Sequence, residues 1–287
     1  MNAVHKLRLQ HKIKTLCRVL RVNRSTYYKH FHSAPAPRIA QNQELASLIL
    51  RIHSEHRKRL GAYKITYILE RDYGIHVSVG RVYRLMKTLN LPKMSTDKPV
   101  IRSKSSTSAL FQDHLQQQFQ QKAPDLVWVS DFTYIKTGGK WYYLCIIMDL
   151  FSRKVIAWHI SAKPDTSLIL TTFHKAYAKR NPPAGLMFHS DQGSQYTASA
   201  FRQLLDSLHI VQSFSKRGYP FDNACCECFF KYLKKEQIHR NHYQSFEQLR
   251  LSVFEYIERY YNSKRPHTTL GMLTPNEAEQ RYAMQSV

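Results

Sequence analysis

The chain has 287 residues, 43% of them hydrophobic, enough for a packed core and for more than one domain. Its 43 Lys and Arg against 20 Asp and Glu give a net charge of +23, and the excess is uneven: residues 1–124 hold 23 basic and 6 acidic residues, residues 125–287 hold 20 and 14. No apolar run reaches the ~18 residues of a membrane span, the polar N-terminus lacks the apolar centre of a secretory signal, and five cysteines, odd in number and clustered at 225–228, make no disulfide framework.

A basic front joined to a nearly balanced back is the pattern of a polyanion-gripping region attached to a separate working domain. Apolar positions Leu7, Leu9, Ile13, Leu16, Val19 and Leu20 recur at helical spacing over residues 6–20. Asn23 reads as a turn and Ser25 as the N-cap of a short second helix carrying Arg24, Tyr27 and Lys29. Residues 1–32 are therefore expected as a helix-turn-helix-like segment. Residues 33–37, with two prolines, read as a stiff linker.

Residues 38–91 read as a second helix-turn-helix domain. Leu45, Leu48, Ile49 and Ile52 share one helix face, and Arg57 to Gly61 break that helix. Tyr63, Ile65, Tyr67, Ile68 and Leu69 build another, and Asp72-Tyr-Gly74 turns the chain. Ser78 caps a last helix. On it Arg81, Arg84 and Lys87 recur at helical spacing, a face suited to phosphate or base contact, with a merely solvated basic face as the alternative. Residues 92–124, rich in Pro, Ser, Lys and Gln, read as an exposed basic linker.

From residue 125 the pattern changes to strands. Residues 127–135, 141–148 and 154–160 read as three strands, the first two joined by a Gly138-Gly139 hairpin. A helix over 166–180, a strand over 186–189, a helix over 198–208 and a short strand over 210–214 follow. This order predicts an α/β fold with a mixed sheet and helices on both faces. Residues 125–240 are expected to form this core and 241–287 a C-terminal helical extension. In the extension Ser245 caps a helix to about residue 261, and Thr274-Pro-Asn-Glu277 forms a capping box.

Three acids stand out in the core. Asp131 lies in the middle of the first strand, where an unpaired carboxylate needs a proton or a cation. Asp191 follows a short apolar run. Glu227 lies 35 intervening residues further on, near the start of a helix, with Lys231 and Lys234 on its face. Acids converging from separate elements hold hard divalent cations. A pair of such ions about 3.5–4 Å apart clamps the attacking and leaving oxygens of a phosphoryl transfer.

The two Asp, the gap to Glu227 and Lys234 beyond it resemble the DDE catalytic core shared by retroviral integrases and bacterial insertion-sequence transposases. The wording is nearer to the insertion-sequence side: Trp128-Val-Ser-Asp-Phe-Thr-Tyr-Ile135, His189-Ser-Asp-Gln-Gly-Ser-Gln-Tyr196, Asp222-Asn-Ala224, and Tyr261-Asn-Ser-Lys-Arg-Pro-His267 with Leu270-Gly271 and Thr274-Pro275. The resemblance is strong over residues 120–282 and looser before them. It implies a ribonuclease H-like fold preceded by all-α helix-turn-helix segments. It implies that Asp131, Asp191 and Glu227 are the catalytic, metal-binding residues, holding two Mg²⁺ with Mn²⁺ as a substitute. The implied reaction cuts a DNA strand at the element end and transfers the freed 3′-hydroxyl into target DNA. Lys231, Lys234, Asn223 and the basic loop with Lys216 and Arg217 would position the DNA. The expected partners are double-stranded DNA, as terminal repeats and target, and further copies of the chain. An upstream segment fused by frameshift is also expected, since such chains often read as the second of two frames. The expected location is the cytoplasm, on the nucleoid.

Rival readings follow from the same residues. A DNA-binding regulator with an inert core would need none of the acids. A nuclease for RNA–DNA hybrids would need neither the basic front nor the C-terminal motif. Cys225 and Cys228 followed by His239 and His242 miss zinc-finger spacing, and no Gly-rich phosphate loop is present. Asp149 is expected to serve a turn, and His189 either a structural role or the orientation of a ligand. Cys228 stands where the family usually carries a small or hydroxyl residue.

Overall fold

The computed structural model describes residues 1–32, 37–91, 112–216 and 220–285, and the chain divides into two compact units, Met1–Thr96 and Asp97–Val287. The expected linker positions 33–36 and 92–111, and Arg217 in the basic loop, lie outside the described residues.

In the first unit, α1 (Asn2–Leu7), α2 (Ile13–Val19) and α3 (Arg24–His32) close on Val4, Leu16, Cys17 and Tyr27. The helical spacing over 6–20 is divided between two helices, and Leu9 between them stands 90% exposed. The turn before α3 is organised by Asn23 rather than Ser25: Asn23 Oδ1 accepts from the Ser25 N–H at 2.9 Å and from its hydroxyl at 2.6 Å. An Asn carbonyl reaches the backbone two residues on, which gives this geometry.

The helices α4 (Pro37–Glu55), α5 (Ala62–Tyr73) and α6 (Val79–Thr88) bury Leu45, Ile49, Ile52, Leu60, Ile65, Ile68, Leu69, Val82 and Met86 together. Gly74, at φ +64°, ends α5 in the left-handed conformation that only glycine adopts freely. The Ser78 hydroxyl caps α6 by accepting from the Arg81 N–H at 3.3 Å.

The second unit is built on a five-stranded sheet of order β3-β2-β1-β4-β5. The strands are β1 (Val127–Thr137), β2 (Lys140–Asp149), β3 (Val155–Ser161), β4 (Met187–Ser190) and β5 (Val211–Phe214). β1, β2 and β3 pair antiparallel; β4 pairs parallel with both β1 and β5. Gly138 and Gly139, at φ +54° and +75°, form the tight β1–β2 turn. Side chains alternate between two cores. Val127, Val129, Leu144, Ile146 and Met148 face α10 (Ala224–Glu236) and α11 (Phe246–Phe254). Trp128, Cys145 and Ile147 face α7 (Thr166–Arg180), the short α8 (Ser194–Thr197) and α9 (Ser199–Ser207). This is the α/β mixed sheet expected from the element order, in the ribonuclease H-like arrangement that the resemblance implied.

Two expectations change. Residues 112–124 were expected in a linker, yet Leu115 is buried among the residues of the first core, the Phe214 N–H donates to the Gln112 carbonyl at 2.9 Å, and Ser213 Oγ accepts from the His114 and Leu115 N–H groups. A few apolar anchors in a Gln-rich run suffice, because β5 offers an edge to bond to. The C-terminal segment is likewise continuous with the core rather than an appendage: Leu249, Val253, Tyr256, Ile257, Tyr260 and Tyr261 bury with Phe229 and Leu233 of α10. After α11 the helix widens to a π turn over Glu255–Tyr261. The change of pitch aims Tyr256, Ile257, Tyr260 and Tyr261 inward together. The capping box stands as expected: the Thr274 N–H donates to Glu277 Oε2 at 2.7 Å, and the Glu277 N–H donates to Thr274 Oγ1 at 3.2 Å, ahead of α12 (Pro275–Gln285).

Candidate active site

The sheet register sets two of the acids level. β1 and β4 run parallel with Val129 beside His189, so Asp131 and Asp191 lie two residues further along neighbouring chains. The ladder with β4 stops at Val129 and His189, so among the described residues Asp131 has no strand partner on that side. α10 crosses this end of β1 and carries Glu227 in its first turn. Asn223, just before α10, donates its side-chain amide to the Ser130 carbonyl at 3.0 Å and so ties the helix start to the strand.

The electrostatics record the meeting. Burial pushes the Asp131 carboxyl up to about 8, and the Asp191 carboxylate adds to the shift. The Phe132 N–H opposes it by donating to Asp131 Oδ1 at 2.7 Å; Glu227 raises it further and Lys234 lowers it. Burial also raises Asp191, against the Gly193 N–H donated to its Oδ1 at 3.0 Å. Desolvation raises Glu227 as well. Three carboxyls in one field with a single ammonium nearby form a donor set short of positive charge. That is the chemistry a hard divalent cation corrects. Their side chains do not yet converge: among the described residues no group of three His, Cys, Asp or Glu stands close enough to hold a metal ion.

Neighbouring residues fix the acids. Ser130 donates its hydroxyl to the Ile146 carbonyl at 2.8 Å, so the buried Tyr196 hydroxyl, 2.8 Å away, donates to Ser130. Gly193 has an ordinary φ of −59°, but a Cβ there would stand 2.9 Å from Asp191 Oδ1 and 3.1 Å from Gln195 Oε1. The glycine is needed for room. His189 is structural: Ser213 Oγ, already accepting two backbone N–H groups, donates to His189 Nδ1 at 2.9 Å, and Nε2 donates to the Asp222 carbonyl at 3.1 Å. Burial lowers its pKa. Asp149 serves its turn, accepting from the Asp125 N–H at 2.7 Å and the Ser152 N–H at 2.8 Å.

The expected DNA-contact residues divide. Lys231 and Lys216 are exposed and Lys234 is half-buried, its Nζ 4.8 Å from the centre of the Tyr134 ring. Asn223 is 6% exposed: its Nδ2 donates to the Ser130 carbonyl and ties α10 to β1, while its buried Oδ1 has no hydrogen-bond partner among the described residues. Of the basic face on α6, Arg84 and Lys87 are exposed, whereas Arg81 is half-buried and donates through Nε and Nη2 to Asn42 Oδ1 on α4 at 3.0 and 2.8 Å. Sequence reasoning missed Gly193 and Tyr196, although both lie inside the quoted Asp191 motif. It also missed Tyr134, whose only signal was an aromatic near Asp131.

The model of the Integrase core domain family matches residues 121–220, a second Integrase core domain model matches residues 227–282, and that of the HTH-like domain matches residues 40–95. The transposase for insertion sequence element IS904 of Lactococcus lactis subsp. lactis (strain IL1403) is 35% identical over 249 residues, covering 86% of this chain and 98% of that protein. Transposase InsF for insertion sequence IS3A of Escherichia coli (strain K12) is 32% identical over 281 residues and covers 97% of each chain. Among solved structures, the HTLV-2 integrase catalytic core domain in complex with magnesium aligns over 56% of this chain and 99% of its own, with a TM-score of 0.42 and 17% identity. At these identities and over nearly full length, the chain belongs to the transposases of bacterial insertion sequences.

Proposed function

We propose that this transposase cuts DNA at the ends of its element and joins the freed strand to target DNA, with Asp131, Asp191 and Glu227 as the catalytic and metal-binding residues. The observation carrying this is the sheet register, which sets Asp131 and Asp191 level on neighbouring chains beside the first turn of α10 with Glu227, and burial together with the charges of Asp191 and Glu227 raises the Asp131 carboxyl. These acids would hold two divalent cations, Mg²⁺ or Mn²⁺, which would supply activation of the attacking oxygen and charge relief at the leaving one.

The chain's own residues do the rest. Asp131 gives up its proton when it becomes a ligand, as ligating carboxylates must. Tyr196, through Ser130, and Asn223 hold β1 and α10 in place. Lys231 and Lys234 lie further along α10 than Glu227, with a rise of about 1.5 Å per residue, and offer ammonium groups to the DNA backbone. Lys216 and Arg217, on the basic loop of the sequence, are proposed to contact the DNA backbone as well. Arg84 and Lys87 on α6 take the end sequence, in keeping with the charge of the first 124 residues, 23 basic against 6 acidic. The enzyme works on the nucleoid as a homo-oligomer, with an upstream fused segment supplying further DNA contacts. In organisation, residues 1–32 and 38–91 bind DNA, and residues 112–285 form one catalytic unit.

The test incubates purified protein with DNA copied from the sequences flanking its gene, in Mg²⁺ or Mn²⁺. Nicking and joining by the wild type, lost in Glu227→Gln, is the expected result. Full activity in Glu227→Gln would sink the assignment of the acids. Tight, salt-sensitive binding without any nicking, also after adding the upstream segment, would favour a regulator with an inert core.

A further inference from the structure

Tyr134 and Trp141 stand on the β1–β2 hairpin, Tyr134 three residues beyond Asp131. Both are open to solvent, at 58% and 46% exposure. Their rings meet edge to face, centres 5.3 Å apart at 75°. Each also has an ammonium over it: Lys234 Nζ lies 4.8 Å from the Tyr134 ring centre, and Lys136 Nζ lies 5.4 Å from that of Trp141. The two lysines reach the pair from different elements, Lys136 from β1 and Lys234 from α10.

Lys234 joins this pair to the acids, because it lies on α10 seven residues, about two turns, beyond Glu227 and reaches over Tyr134. The β1–β4 ladder ends at Val129 and His189, so Tyr134 lies beyond the part of β1 that pairs with β4. A cross-strand aromatic pair that only braced a hairpin would gain most by burying its rings. Exposed ring faces with ammonium groups against them suit a ligand that is flat and apolar on one part and anionic on another. A nucleotide is such a ligand. A base inside a duplex has both faces covered by its neighbours, so only an unpaired base can use the surface.

We infer that Tyr134 and Trp141 form a stacking platform for an unpaired DNA base next to the phosphate being cut, with Lys136 and Lys234 holding the adjoining phosphates. The inference rests on the proposed function, since it takes the acids as the place of cutting. It adds that the DNA end is frayed on this hairpin rather than held as an intact duplex.

The test uses the full chain in EDTA, so that binding is read without chemistry. Fluorescence anisotropy compares a short duplex bearing a single-stranded thymine tail with the same duplex bearing an abasic tail, which keeps the phosphates and lacks the bases. The wild type binds the thymine tail about ten-fold more tightly. Tyr134→Ala with Trp141→Ala erases that preference and leaves affinity for the abasic tail within two-fold, about the scatter of such a titration. Tyr134→Phe with Trp141→Phe keeps it. Equal wild-type affinity for the two tails overturns the inference without any variant, and so does a preference that survives the double alanine change. Glu227→Gln keeps the preference, so a failure of the triad assignment, seen as cleavage surviving in that variant, reads out separately.

Discussion

Arg265 and Glu236 form an ion pair inside the protein, Nη2 to Oε1 at 2.9 Å, with the two side chains 5% and 2% exposed. Arg265 Nε also donates to both carboxylate oxygens of Glu236, the Tyr256 hydroxyl donates to Oε2 at 2.9 Å, and the guanidinium lies 4.1 Å from the Tyr232 ring centre. Arg265 belongs to the Tyr261 to His267 motif, which therefore locks the C-terminal segment to α10. In the same motif Asn262 bonds the N–H and carbonyl of Val155, at 3.1 and 3.0 Å, on the edge strand β3. Arg265→Met takes the counter-charge from the buried Glu236 carboxylate, leaving it the Tyr256 hydroxyl, and lowers stability by about 3–5 kcal/mol. Urea unfolding measures it, and adding Glu236→Gln recovers part of the loss.

Glu279 on α12 receives Lys154 Nζ at 2.8 Å and the Arg180 guanidinium. Burial by itself raises its carboxyl, but the bonds and charges of Arg180 and Lys154 bring it below its ordinary 4.5. A carboxyl depressed in the folded state contributes stability present above 4.5 and lost as pH falls through the folded value. Glu279→Gln therefore lowers the neutral melting temperature and flattens the acid limb of the stability curve. An unchanged acid limb would contradict the pairing.

Asp131 shows the opposite sign. Its folded pKa of about 8 lies above the ordinary 3.8, so its contribution is fully present below 3.8 and lost as pH rises through about 8. In EDTA, Asp131→Asn melts higher than the wild type above that pH. Its cleavage activity falls by about 10²-fold or more. Thermal melting and strand cleavage on the same preparation check both arms.

Gly193→Ala is expected to separate folding from function. Its φ of −59° suits alanine, and the nearest atom to the new methyl is Asp191 Oδ1 at 2.9 Å. Stability changes by less than about 1 kcal/mol, while displacement of Asp191 lowers cleavage by about 10²-fold. Equal loss of both would mean that the glycine matters only to the fold.

On α6, Arg84→Ala and Lys87→Ala each reduce the slope of log affinity against log salt by about 0.9 in duplex binding. Arg81→Ala acts by loosening α6 from Asn42 on α4 and shows first as lower thermal stability. A salt slope unchanged in all three variants would place the DNA face elsewhere.

Much of this was legible in the chain itself. Alternating apolar residues on β1 and β2 set which side chains face each core, because a strand turns every second residue the same way. Ser78, Ser245 and Thr274 marked helix starts, because a hydroxyl there accepts an N–H that the helix leaves unpaired. The acids Asp131, Asp191 and Glu227 stood out by type and spacing.

What the tertiary structure decided is which distant residues meet. The β1–β4 register sets Asp131 level with Asp191, and no local pattern encodes a register between strands separated by a helix and a hairpin. The fold spends Asn223 and Arg81 on internal bonds although both read as DNA contacts, since a polar residue's partner is chosen by what packs opposite it. It draws residues 112–115 onto β5, and it brings Lys234 over Tyr134 from a helix a hundred residues away. Sequence periodicity reports which face of an element is buried; the pairing of those faces is fixed only when the whole core closes.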